Sequence, residues 1–170
     1  MSDARPMSDN VIHLPDVVLT PESHGETFAS RETRLGPVIG MRQLGCTLIV
    51  VPPGKRSCPF HSHRANEELF LILDGRGTLR YGTSERAVRG GDLIACPTGG
   101  PETAHQLVNT SDADLRYLAL STKIEPEICE YPDSDKVLAF DGFGERARNA
   151  VKLDVIVQKS ANVDYWDGEG

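Results

Sequence analysis

Long apolar runs are missing from this sequence. The longest are Leu48–Val51 and Leu69–Leu73, far short of the ~18 residues that a membrane-spanning helix needs. Blocks of positive charge are missing as well: the 18 Lys and Arg are scattered and the net charge is −7, which argues against a nucleic-acid-binding role. No helix-turn-helix segment accompanies the strands described below, so a DNA-binding regulator is not expected. No CxxC pair occurs. Cys46, Cys58, Cys96 and Cys129 are too widely spread for a zinc ribbon or a thioredoxin-type centre, and read as free, mostly buried thiols. The N-terminus lacks a basic stretch followed by an apolar one, so the expected setting is the reducing cytoplasm. Aromatics make up only 6% of the chain, yet 39% apolar and 25% charged residues are the proportions of a folded, soluble domain.

What the chain does have is 170 residues, enough for one domain with extra segments at its ends. Sixteen Gly and 11 Pro supply turns. Helical periodicity is almost absent, and short runs of β-branched and large apolar residues are broken at intervals of roughly 8 to 12 residues, the pattern of an all-β barrel or sandwich. The expected strands are Cys46–Val51, Glu68–Leu73, Gly77–Tyr81, Arg86–Val88, Asp92–Cys96, His105–Asn109 and Leu115–Ser121. Residues 1–43 read as an N-terminal arm with edge strands at Thr27–Leu35 and Val38–Gln43, its first residues, Met1–Leu14, disordered. Residues 44–121 read as the barrel core. Residues 122–170 read as a C-terminal extension on the barrel or a partner subunit, with apolar segments at Ile128–Tyr131, Lys136–Phe140 and Val151–Val157 and a loop over Asp141–Asn149.

Histidine placement carries the chemistry. His61 and His63 are two apart, so on a strand they share a face with Cα atoms ~6.6 Å apart, close enough for both rings to reach one metal ion. The alternative is a polar loop with two solvated imidazoles. Glu68 opens a hydrophobic strand, where a buried carboxylate needs a partner. His105 opens another strand, while His13 and His24 sit in the arm and read as solvated.

The segment from Gly54 through His61, His63 and Glu68 to Gly75 resembles the first cupin motif. Gly91 through Pro97 and Gly99 to His105 and Asn109 resembles the second. Two spacings depart from the pattern: one extra residue precedes His61, and Gly100–Ala104 is inserted before His105, on one wall of the pocket, without removing a ligand. The resemblance implies an all-β double-stranded β-helix, a jelly-roll-like barrel with extra N- and C-terminal strands. It also implies that His61, His63, Glu68 and His105 ligate a metal on its inner face.

Three imidazoles and one carboxylate suit one divalent transition metal per chain, Zn, Fe, Mn, Ni or Co, and leave positions open for a substrate. Such a site fits isomerase-type Lewis-acid chemistry on a small polar or anionic metabolite, as in cupin sugar-phosphate isomerases. Fe(II) dioxygenase chemistry and non-catalytic binding of a small ligand fit the same residues. Arg64, Arg80 and Tyr81 are the candidate substrate contacts. Lys55 and Arg56 could also meet an anion. Cys58, an odd number of positions from His61, is expected to face away. The arms suggest a homodimer.

Overall fold

The computed structural model describes residues 10–142 and 153–170. Strands numbered in chain order form three hydrogen-bonded sets, all antiparallel. The largest is ordered β1 (Thr20–His24), β2 (Phe28–Arg34), β3 (Leu44–Val51), β10 (Leu115–Thr122), β5 (Glu68–Asp74) and β8 (Leu93–Cys96). A second is ordered β7 (Ser84–Arg89), β6 (Arg76–Tyr81) and β9 (His105–Val108). The third is ordered β13 (Leu153–Gln158), β12 (Lys136–Asp141), β11 (Glu127–Tyr131) and β4 (Ser62–His63). Reciprocal backbone hydrogen bonds between His61 and His105, of 3.2 and 2.8 Å, join the last two sets into one wall.

Period-two alternation fills the space between the two walls. Ile49 and Val51, Phe70 and Ile72, Ile94 and Cys96, Leu115 and Tyr117 face inward from the six-stranded sheet. Leu79, Val88 and Leu107 meet them from the other wall. Each fully buried Leu or Ile contributes about 1.5–3 kcal/mol of hydrophobic stabilisation. Glu68 lies two positions before Phe70 and His105 two before Leu107, so both point into the barrel one layer beyond this core.

The glycines that punctuate the motifs have a backbone reason. Gly75, at φ +88°, turns β5 into β6, and a Cβ there would collide with the carbonyl of Asp114. Asn109 is fully buried and closes the opposite turn: its Nδ2 donates to the carbonyls of Val51 and Ala113, each at 2.7 Å, and its Oδ1 accepts from the backbone and hydroxyl of Ser111.

The arms depart from the sequence reading. Val38–Gln43 forms turns and bends instead of a strand. The strand expected over Thr27–Leu35 is β2, but it sits inside the sheet, between β1 and β3. The edge is β1, whose five residues are all exposed. With no buried face it has no alternation to betray it, and Pro21 within it suits an outer strand. At the other end β11, β12 and β13 match the three expected segments, with residues 151–152 of the third outside the described residues. Most of the loop expected over Asp141–Asn149 also lies outside them, as do residues 1–9 of the segment expected to be disordered; Leu14–Asp16 forms a 3-10 turn. Because β2 pairs with β3 and β11 with β4, the sheets run across both expected boundaries.

Candidate metal centre

Four side chains from three parts of the chain meet at one end of the barrel. The Oε2 of Glu68 lies 2.9 Å from Nε2 of His105 and 3.6 Å from Nε2 of both His61 and His63. One potential ligand atom from each of the four falls within 4.8 Å of the others. The imidazole centroids stand 4.9 Å apart for His61 with His63 and for His61 with His105, and 6.2 Å for His63 with His105. The pairing of His61 with His105 across the bridge brings the two motifs together.

The outward nitrogens are all engaged. Nδ1 of His61 lies 2.9 Å from the carbonyl of Pro59 and Nδ1 of His105 lies 3.1 Å from that of Thr103. Nδ1 of His63 lies 3.3 Å from Sγ of Cys129 and 3.5 Å from Oε2 of Glu127. A ring that donates through Nδ1 keeps its lone pair on Nε2. Three such lone pairs would then converge on a carboxylate oxygen, an arrangement that repels unless a cation or protons lie between them. Consistently, the buried Nε2 of His63 has no hydrogen-bond partner. Nitrogen and oxygen donors converging on one point, with each imidazole held from behind, fit a divalent transition ion.

The electrostatics follow from that crowding. Burial works against a charged His61, but contacts with Cys58 and Glu68 prevail and push its pKa up to about 10. Burial likewise opposes a charged His63, and its contacts with Cys129, Glu127 and Glu68 push it up to about 12. Glu68, despite burial, is held well below the usual carboxylate range by His105, His61 and His63. The cluster without a cation thus holds protons where a cation would sit.

The Gly100–Ala104 insertion forms a 3-10 turn over Pro101–Thr103, and the carbonyl of Thr103 orients His105. Tyr81 is the register partner of His105 and packs against the core, so it is on the inner side of β6. Its neighbour Arg80 is paired with Gln106 and faces out. There its guanidinium binds Asp133 through two contacts of 2.8 and 3.0 Å and lies 4.3 Å over the ring of Phe60. The structure therefore does not bring Arg80 to the cluster. The Arg64 side chain, half exposed, is paired with Glu130. Lys55 reaches the carbonyl of Glu26, and Arg56 the amide of Gln106. His13 and His24 are exposed.

Cys58 is a correction: it contacts His61 instead of facing away. Residues 57–60 form bends rather than a strand, so parity does not govern them. The sequence reading also missed what β11 contributes. Tyr131 stacks on His61 at 6.2 Å between centroids, and Glu127 and Cys129 back His63. A signal existed, because Glu127, like Glu68, is a carboxylate opening an apolar strand.

Among the described residues no helix is long and apolar enough to cross a membrane. Residues 47–121 match the cupin domain family. A candidate sugar phosphate isomerase from Acidithiobacillus ferrooxidans superposes with a TM-score of 0.77 at 22% identity, over 91% of this chain and 96% of that one. A sugar phosphate isomerase from the cupin superfamily, of Silicibacter pomeroyi, superposes with a TM-score of 0.68 at 27% identity, over 83% of each chain. Auxin-binding protein 1 of Arabidopsis thaliana is 30% identical over 136 residues, 75% of this chain and 65% of that protein. The chain spans between 54% and 65% of the length of the first curated relatives that it matches. With its barrel topology, and with the family match covering β3 to β10, the chain carries a small cupin domain.

Proposed function

We propose that His61, His63, Glu68 and His105 hold one divalent transition metal per chain, and that the protein is an isomerase acting on a small anionic metabolite of the sugar phosphate class. The observation that carries this reading is the convergence of three Nε2 atoms on one carboxylate oxygen inside the barrel, at 2.9 to 3.6 Å. A bound divalent ion would supply Lewis acidity, polarising a substrate carbonyl or hydroxyl and easing loss of the adjacent proton. The chain's own part is to orient. Pro59, Thr103 and Glu127 with Cys129 fix the three rings from behind, and Phe70 with Tyr117 closes the barrel floor against water. Tyr131 walls the site beside His61, and Tyr81 lies on the inner side near His105. The Silicibacter relative, an isomerase by name, supports the substrate class.

The test is elemental analysis of protein purified without a metal-affinity tag, followed by anaerobic incubation with aldose and ketose phosphates monitored by 13C NMR. About one metal per chain and interconversion of the two sugars are expected. Bound metal without turnover of any sugar phosphate would favour the second reading, binding without catalysis, which the auxin-binding relative supports. Iron with consumption of O2 would instead favour a dioxygenase.

A homodimer is our proposal for the assembly: β1 and β13 are the outermost strands of their sets, and β13 leaves Leu153, Val155, Ile156 and Val157 exposed. Light scattering should give twice 18.6 kDa; the monomer mass would end this proposal.

A further inference from the structure

Glu127 lies on β11, beyond the segment that matches the cupin family. It is completely buried. A buried carboxylate is expensive unless hydrogen bonds answer it, and an apolar side chain would fill the same space at less cost. Here every lone pair is used. Oε1 accepts the backbone N–H groups of Arg64, Ala65 and Ile128 at 3.0, 3.1 and 2.8 Å. Oε2 accepts from the Asn66 side-chain amide and lies 3.5 Å from Nδ1 of His63. Asn66, itself buried, is held in turn by the Thr122 hydroxyl at 2.8 Å and by the N–H and carbonyl of Ile124 at 2.7 and 3.0 Å.

Residues 64–66 are the start of the link between two of the proposed ligands, His63 and Glu68. Glu127 pins that turn to β11 and presents its remaining oxygen to the ring of His63. The other group near Nδ1, the Cys129 thiol at 3.3 Å, can either donate or accept a hydrogen bond, so it leaves the position of the ring proton open. An ionised carboxylate only accepts. It therefore keeps the proton on Nδ1 and the lone pair on Nε2, facing Glu68.

We propose that Glu127 is a positioning residue that fixes the tautomer of His63 and the turn behind it, so that the C-terminal extension completes the metal centre. The inference rests on the metal-binding reading above. Glu127→Gln keeps the shape and removes the charge. Its carbonyl oxygen can still accept the three backbone N–H groups, which turns its NH2 toward Nδ1 and favours the tautomer with the proton on Nε2, the wrong one for ligation. Losing a carboxylate behind a ligating imidazole typically weakens metal binding 10- to 100-fold.

The experiment is a Co(II) titration of the metal-free protein, read by the visible d–d bands, for wild type, Glu127→Gln and Glu130→Gln. Glu130, three positions along, pairs instead with Arg64 and Lys159, so its variant controls for loss of charge on the same strand. Expected are roughly 10- to 100-fold weaker binding and a changed band pattern for Glu127→Gln, with wild-type affinity and bands for Glu130→Gln. Equal affinity and identical bands in wild type and Glu127→Gln would overturn the positioning role alone; failure of wild type to bind Co(II) would overturn the metal site and this inference with it. A second readout needs no variant. Long-range 1H–15N correlation of the Zn-loaded wild type should find His63 protonated at Nδ1 and ligated through Nε2. The reverse assignment overturns the proposal even if Glu127→Gln does not fold.

Discussion

The Oε2 of Glu68 and the Nε2 of His105 lie 2.9 Å apart although 37 positions separate them. One comes from the six-stranded sheet and the other from the opposite wall, so the contact spans the barrel and exists only when both walls close. His105→Ala and Glu68→Gln should each reduce bound metal from about one per chain to a small fraction, as should His61→Ala, since each removes one of four converging donors. Elemental analysis after dialysis against a weak chelator checks this. Retention of a full equivalent by His105→Ala would remove that residue from the centre.

Protons and metal compete for the same place. In the metal-free chain His61 and His63 stay protonated up to about pH 10 and about 12, both raised from 6.5, so their contribution to stability is complete below pH 6.5 and is lost as pH rises toward those values. A metal must displace these protons, so its stabilising effect grows with pH. The difference in melting temperature between Zn-loaded and metal-free protein should widen from about pH 6 to about pH 8, and metal should dissociate below about pH 6. A difference that narrows over this range would contradict the shared location.

Asn109 ends the second motif, yet it touches none of the four clustered residues. It ties β3, through Val51, to the turn at Ala113. Asn109→Ala takes the side-chain donor from the buried carbonyl of Val51 and one of two donors from that of Ala113, which the Ser111 hydroxyl also serves, and should destabilise the chain by about 1 to 3 kcal/mol, while metal stoichiometry stays unchanged. Urea denaturation alongside elemental analysis separates the two effects.

Arg80 and Tyr81 are adjacent but face opposite sides of β6. Arg80→Ala breaks the ion pair with Asp133, the 2.8 Å hydrogen bond to the buried Gln106 side chain and the contact with the Phe60 ring, and should lower stability by about 1 to 3 kcal/mol, with no change in KM for a sugar phosphate. Tyr81→Ala, on the His105 side, should raise KM or lower kcat. Steady-state kinetics on both variants decides it, and a raised KM for Arg80→Ala would place its guanidinium at the substrate after all.

The amino-acid sequence determined the barrel strands, the turns at Gly75 and Gly91, and the grouping of His61, His63, Glu68 and His105 as candidates. These rest on local rules: side chains alternate with period two along a strand, and glycine alone adopts positive φ freely. Tertiary structure decided the rest. Glu127 and Cys129 back His63 from 64 and 66 positions away because β11 pairs with β4 in one register. Cys58 turns toward His61 because its segment bends instead of running as a strand. Arg80 points out because His105 pairs with Tyr81, and a shift of one residue would have exchanged the two. Strand register is set by the packing of whole sheets, which no short stretch of sequence contains.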